Sequence, residues 1–193
     1  MGFLSVLSQA QRYVAEHIRP GDAVIDATAG NGVDTLFLSK ATGAKGHVFA
    51  FDIQATAIEQ TRNRLQTASD TKITLSSVTL LNAGHETMIA AIPPALHGNI
   101  AAVMFNLGYL PGAQQTIITQ TNTTLLALNA ALTLLRSSGI LTIVVYPGHE
   151  GGDSEAKAVE KWAEAIPTSV AQCVIYRFPQ KLTAPYLIAV TKK

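Results

Sequence analysis

A chain of 193 residues is long enough for one domain with a sizeable core and short for two. With 48% hydrophobic and 14% charged residues it reads as globular rather than disordered. Fourteen Lys and Arg against 13 Asp and Glu leave a net charge of +1, which gives no electrostatic sign of a nucleic-acid partner beyond a local patch, and the lone Cys173 excludes an internal disulfide framework and fits a reducing cytosol.

Residues 4–19 have helical spacing, with Leu4, Leu7, Tyr13, Val14 and Ile18 mostly on one side, and Pro20-Gly21 ends that helix. No charged run followed by a long apolar core occurs there, so no signal peptide is expected. Short apolar runs then alternate with helical patterns. Strands are predicted near 23–27, 47–52, 78–81, 100–105, 139–146, 170–177 and 185–192, and helices near 32–41, 54–68, 86–92, 114–136 and 152–165. This alternation implies an α/β fold, a mostly parallel sheet with helices on both faces. Only "PQKLTA" separates the last two strands, which predicts an antiparallel hairpin at one edge. The run "TTLLALNAALTLLRSSGI" is interrupted by Asn129, Arg136 and two serines, so it reads as a buried helix and no membrane contact is expected. Residues 1–193 are expected to form a single domain, with residues 1–20 covering its core.

In open α/β sheets ligands sit beyond the carboxyl ends of the strands. The first such end reads "DATAGNG". Gly30 and Gly32 allow positive φ and close approach of a ligand, and the helix that follows offers unpaired N–H groups. A dinucleotide fingerprint would need a third glycine where Thr35 stands, and a phosphate loop would need Gly-Lys-Ser/Thr. Asp26 would repel a phosphate but suits a ligand with a positive end, such as the ammonium of an amino-acid tail. The second strand ends in Asp52, whose carboxylate can accept from both hydroxyls of a ribose. S-adenosylmethionine has such a tail, a ribose and a base, and the pattern resembles class I (Rossmann-like) methyltransferases. The same residues also fit a tight strand-helix turn with a capping acid, or a nicotinamide-dependent oxidoreductase holding its ribose on Asp52. The cofactor-side candidates are Asp26, Thr28, Gly30, Asn31, Gly32, Asp52, Gln54, Asn82, His85 and Asn106. Asn82 is placed to read the adenine edge; His85 either covers the adenine or reaches the substrate, or is an ordinary first-turn helix residue.

The fourth strand runs into "FNLGYLPG". Asn106 and Tyr109 have the N-x-x-Y spacing of methyltransferases that act on amino groups, with Leu107 and Gly108 where those have two prolines. The Asn oxygen would accept from an amine and aim its lone pair, and the aromatic ring would stack on the base. The fifth strand ends in "YPGHEGG", placing Tyr146 and His149 at the same rim, with His149 suited to deprotonate or position the amine. Gly-His-Glu occurs twice, at 84–86 and 148–150, but without His-Glu-x-x-His, and methyl transfer from a sulfonium needs no Lewis acid, so no metal is expected.

Taken in order, "DATAGNGVDTLFLS", "GHE", "FNLGYLPG" and "YPGHEGG" resemble the bacterial YtqB-type proteins, long called rRNA methylases and later assigned to tRNA modification as MnmM. That resemblance implies methyl transfer from S-adenosylmethionine, with S-adenosylhomocysteine as product, to the amine of 5-aminomethyl-2-thiouridine at the tRNA wobble position. It implies substrate-side roles for Asn106, Tyr109, Tyr146 and His149, a tRNA anticodon stem-loop as partner and a cytoplasmic location. Methylation of rRNA or of a small-molecule amine stays open, as does a homodimer. Arg12, Arg19, Arg62, Arg64, Arg177 and Lys181 are the candidates for phosphate contacts.

Overall fold

The computed structural model describes residues 2–108, 120–148, 152–181 and 183–193. Among the described residues seven strands form one sheet in the order β3-β2-β1-β4-β5-β7-β6. They are β1 (Ala23–Asp26), β2 (His47–Phe51), β3 (Ser77–Leu81), β4 (Ile100–Leu107), β5 (Leu135–Val145), β6 (Ala171–Tyr176) and β7 (Tyr186–Lys192). β1 pairs in parallel with β2 and β4, and β2 with β3 and β4 with β5 likewise. β7 runs antiparallel to both β5 and β6, so the expected hairpin is present, with β7 inserted and β6 at the edge. Strand order reverses between β1 and β4, and the carboxyl ends of these strands open the crevice where α/β sheets take ligands.

Side chains alternate along each strand and feed two cores. On one face Ile25, Phe49, Phe51, Phe105 and Ile143 pack against α5 (Thr121–Leu134) and α6 (Gly152–Ala165), the site of Val159. On the other, Val24, Val48, Met104 and Leu187 meet α1 (Val6–His17) and Leu38 of α2 (Val33–Thr42). α3 (Ala55–Asp70) lies between β2 and β3 along the chain and packs on α2. Among the described residues no helix is long and apolar enough to cross a membrane.

Three elements differ from the expected ones. The buried face of α1 is Val6, Ala10 and Val14, continued by Ile18, at i, i+4 and i+8 spacing, whereas Leu4 and Leu7 are exposed. Ser5 caps this helix by accepting from the Ser8 N–H at 3.2 Å. The predicted helix over 86–92 is a 3₁₀ turn (His85–Thr87) followed by the single turn α4 (Met88–Ala91), cut short ahead of Pro93-Pro94. The predicted helix over 114–136 begins outside the described residues and ends at Leu134, with β5 starting directly at Leu135 rather than near 139. Leu135 pairs with Ile100 through a register shift, and Ser138 takes φ 61°. Arg136 is held by Asp22 (2.8 and 3.0 Å) and by the His17 carbonyl (3.1 Å), so tertiary bonds override the helical pattern of this run.

Candidate functional site

The glycine turn forms because its backbone demands it. Gly30 and Gly32 have φ of 53° and 79°. A Cβ on Gly32 would lie 2.8 Å from the Thr61 Cα, so α2 can approach α3 only with glycine at this N-cap. Thr61 Oγ1 donates to the Gly30 carbonyl at 3.2 Å and Arg64 Nε to the Asn31 carbonyl at 2.6 Å, so α3 holds the turn from outside.

A cavity of about 720 Å³ opens beyond the carboxyl ends of the central strands. One half is lined by Gly30, Asn31, Asp52, Ile53 and Gln54, together with Ala83, Gly84, His85 and Glu86. Asp52 is fixed from two sides: Oδ2 accepts from the Gly30 N–H and Oδ1 from the Gln54 N–H, both at 2.9 Å. Each oxygen accepts one bond there and has a second lone pair left to accept from a diol. His85 is buried, edge-on to Phe105 at 5.5 Å between ring centroids, and burial lowers its pKa below the usual histidine range against the opposing pull of Glu86. A neutral imidazole on an apolar ring suits the face of a base.

The other half is lined by Thr28, Asp34, Asn106 and Tyr146, together with Leu7 and Gln11 of α1. The Asn106 N–H donates to Thr28 Oγ1 at 2.7 Å, joining the β4 end to the glycine turn. Asn106 Nδ2 donates to Asp34 Oδ2 and Gln11 Nε2 to Asp34 Oδ1, each at 2.7 Å. Asn106 Oδ1 is buried with no partner among the described residues. The Tyr146 phenol is raised in pKa, first by burial and then by the charge of Asp34, which makes it a neutral donor. The N-terminal helix is therefore part of the site, beyond its expected role as a cover.

Three expected cofactor contacts sit elsewhere. Asp26 is fully buried and is not among the residues lining the cavity. Its Oδ2 accepts from Thr35 Oγ1 at 2.6 Å and its Oδ1 from the Thr28 N–H at 3.2 Å, so it braces the turn from beneath. Burial pushes its pKa up to about 7, with the charge of Asp34 as the next cause, while the bonds from Thr35 and Thr28 oppose the rise. Asn82 is exposed and gives Nδ2 to the carbonyls of Asp52 and Ile53, each at 3.0 Å, tying β3 to β2 instead of facing the cavity. Gly32 serves the N-cap and does not line the cavity. Tyr109 and His149 lie outside the described residues. No group of three or more His, Cys, Asp or Glu is arranged for a metal ion among the described residues.

Among the lining residues that sequence reasoning missed are Asp34, Gln11 and Leu7. Asp34 stands two positions past Gly32 in "GNGVDT", where it reads as an ordinary acid in a helix's first turn, and only the position of Gln11 on a separate helix gives it meaning. Of the basic candidates, Arg12, Arg62 and Arg177 pair with Glu16, Glu59 and Glu160.

Comparison with known proteins bears on this site. Residues 48–192 match the family model described as "Putative rRNA methylase". The chain is 40% identical over 181 residues to an Arabidopsis thaliana protein described as "tRNA (mnm(5)s(2)U34)-methyltransferase, chloroplastic". That match covers 91% of this chain and 65% of the relative, so the chain spans just under two thirds of its length. A crystal structure from Clostridium thermocellum, described as a "putative rRNA-methylase", superposes with a TM-score of 0.92 at 34% identity over 100% of both chains. A Streptococcus mutans "putative methyltransferase", SMU.1697c, solved in complex with S-adenosylhomocysteine (SAH), gives 0.85 at 31%, again over 100% of both. The family match begins after the glycine turn, whereas the two structural matches include it.

Proposed function

The chain belongs to the rRNA methylase family, and on that premise we propose that it is an S-adenosylmethionine-dependent N-methyltransferase. Its substrate, in this reading, is the amine of 5-aminomethyl-2-thiouridine at the tRNA wobble position. The Arabidopsis relative's name supports the substrate, and the Streptococcus mutans structure with SAH supports the cofactor. Residues 1–193 would act as a single methyltransferase domain in a cytoplasmic setting. The observation that carries the reading is one cavity lined both by an anchored carboxylate and by Asn106, whose buried amide oxygen has no partner among the described residues.

The residues present fit the donor. Asp52 has free lone pairs for two ribose hydroxyls, Ile53 and Ala83 offer apolar surface for the base, and the Gly30 turn leaves room for the amino-acid tail. When bound, S-adenosylmethionine supplies a methyl group on a sulfonium and leaves as the thioether S-adenosylhomocysteine. The chain's own residues do the rest by positioning. Asn106 Oδ1 accepts an N–H of the neutral amine and so orients its lone pair toward the donor end. Tyr146 and Leu7 of α1, which line the same cavity, help to keep water out. The bond formed is N–CH₃, the bond broken is S–CH₃, and the amine gives up one proton. Tyr109 and His149 remain proposals from the family's motifs, Tyr109 to stack on the base and His149 to take or guide that proton.

Isothermal calorimetry with SAH and with NAD tests the cofactor: heat with SAH alone supports the reading, and heat with NAD alone ends it. A gel shift with the tRNA anticodon stem-loop should weaken steeply as salt rises, because phosphate contacts release counterions. Transfer to an rRNA fragment or a free amine, but not to tRNA, would keep the chemistry and replace the substrate.

A further inference from the structure

Asp34 is nearly buried, in the first turn of α2, and nothing in the reading above requires an acid there. Both of its oxygens are taken by side-chain amides from distant elements, Gln11 on α1 and Asn106 at the end of β4, at 2.7 Å each. An ionised carboxylate only accepts hydrogen bonds, so each amide must turn its nitrogen toward Asp34. For Asn106 that choice fixes the opposite atom. Oδ1 is left buried and partnerless, which is unfavourable unless a donor arrives.

We propose that Asp34 is the positioning residue of the acceptor site: it locks the Asn106 carboxamide with Oδ1, and not Nδ2, turned toward the acceptor nitrogen. The inference rests on the amine-methylating reading. Its chemical logic is one of orientation. A neutral amine must donate an N–H to the enzyme and keep its lone pair for the methyl. A flipped Asn106 would offer Nδ2, which donates to that lone pair and occupies the electrons needed for attack. Asp34 makes the flip unfavourable, because it would set an amide oxygen against a carboxylate. Gln11 secures the second oxygen of Asp34 and so couples the seating of α1 to the geometry of the amide.

Two readouts on the full chain test this. The first needs no substrate: ¹⁵N NMR of the Asn106 side-chain amide. In the wild type its protons are held by a charge-assisted bond and should exchange slowly, and in Asp34→Ala that protection should vanish. An unchanged Asn106 signal in Asp34→Ala overturns the proposal. The second is a double-mutant cycle on methyl transfer to tRNA bearing the 5-aminomethyl group. Asp34→Ala should lower kcat about 100-fold, the scale of a misplaced reacting group, with SAH affinity within about threefold of wild type. Combined with Asn106→Ala it should cost nothing beyond Asn106→Ala alone, since residues acting through one another are non-additive. Multiplied losses in the double variant, or Asp34→Ala turning over within about threefold of wild type, overturn the proposal. Asp34→Asn guards against misfolding. It keeps the shape but can accept from only one of the two amides, and kcat should still fall about 10-fold or more. If wild-type protein binds SAH and methylates no tRNA amine, the functional reading fails, while the NMR result still decides whether Asp34 orients Asn106.

Discussion

The two ends of the cavity are built differently. At the Asp52 end the carboxylate is held by backbone N–H groups, one of them only two residues away at Gln54 and the other on the Gly30 turn. At the Asn106 end the bonds run between side chains far apart in the chain: Gln11 to Asp34 across 23 positions and Asn106 to Asp34 across 72. Backbone donors are supplied by the fold itself and survive most substitutions, whereas a side-chain network fails when any member is lost. The cofactor end should therefore tolerate change as graded losses of affinity. The acceptor end should respond in rate and respond abruptly.

The largest expected effect is at Asn106. Asn106→Ala should lower single-turnover methyl transfer by roughly 10³-fold while SAH affinity by calorimetry stays nearly unchanged, the pattern of an interaction that matters only in the transition state. Loss of both would erase the distinction between the two ends. At the opposite end, Asp52→Ala should weaken SAH binding about 30- to 100-fold, the value of losing charged hydrogen bonds to a diol, and leave kcat at saturating donor within about threefold. A fall in kcat at saturation would mean that the two ends act as one unit.

A third prediction concerns the acid beneath the turn. The Asp26 pKa in the folded chain is raised from 3.8 to about 7, so between roughly pH 4 and 7 the folded state keeps a proton that the unfolded state releases. Stability is then lost as pH rises through that window and is level above it. Asn at this position can accept from the Thr28 N–H and donate to Thr35 Oγ1 without a charge. Asp26→Asn should gain on the order of 2–4 kcal/mol over the wild type at pH 8 in urea unfolding, with the gap closing toward pH 4. A gap that does not vary with pH would show that Asp26 is not the titrating group. The smallest effect is expected at Arg12, next to Gln11 but on the solvent side and paired with Glu16 at 3.0 Å. Arg12→Ala should change unfolding free energy by less than about 0.5 kcal/mol, since exposed pairs of this kind contribute little.

The same contrast explains what the sequence made legible. Strand-helix alternation located all seven strands, and Asp52 could be read because it ends an apolar strand a fixed distance past a glycine turn. The antiparallel β7 followed from the short segment after β6. Asp26 and Asn82 look in sequence like ligand contacts, because strand-end polar residues usually face the crevice. Here the Asp26 carboxylate is satisfied locally by Thr28 and Thr35, and Asn82 by two carbonyls of the neighbouring strand end. Asp34 and Gln11 were invisible for the opposite reason. Each is unremarkable on its own helix, and their meaning arises only where α1, α2 and β4 converge. The face of α1 was misjudged because Leu7 suggested core, yet it is 46% exposed and lines the cavity.

The most direct test of the central claim is mass analysis of nucleosides from tRNA carrying 5-aminomethyl-2-thiouridine, after incubation with the protein and methyl-labelled S-adenosylmethionine. One labelled methyl group is expected on that nucleoside alone, and none with Asn106→Ala. Label on any other nucleoside, or none at all from protein shown to bind SAH, would contradict it.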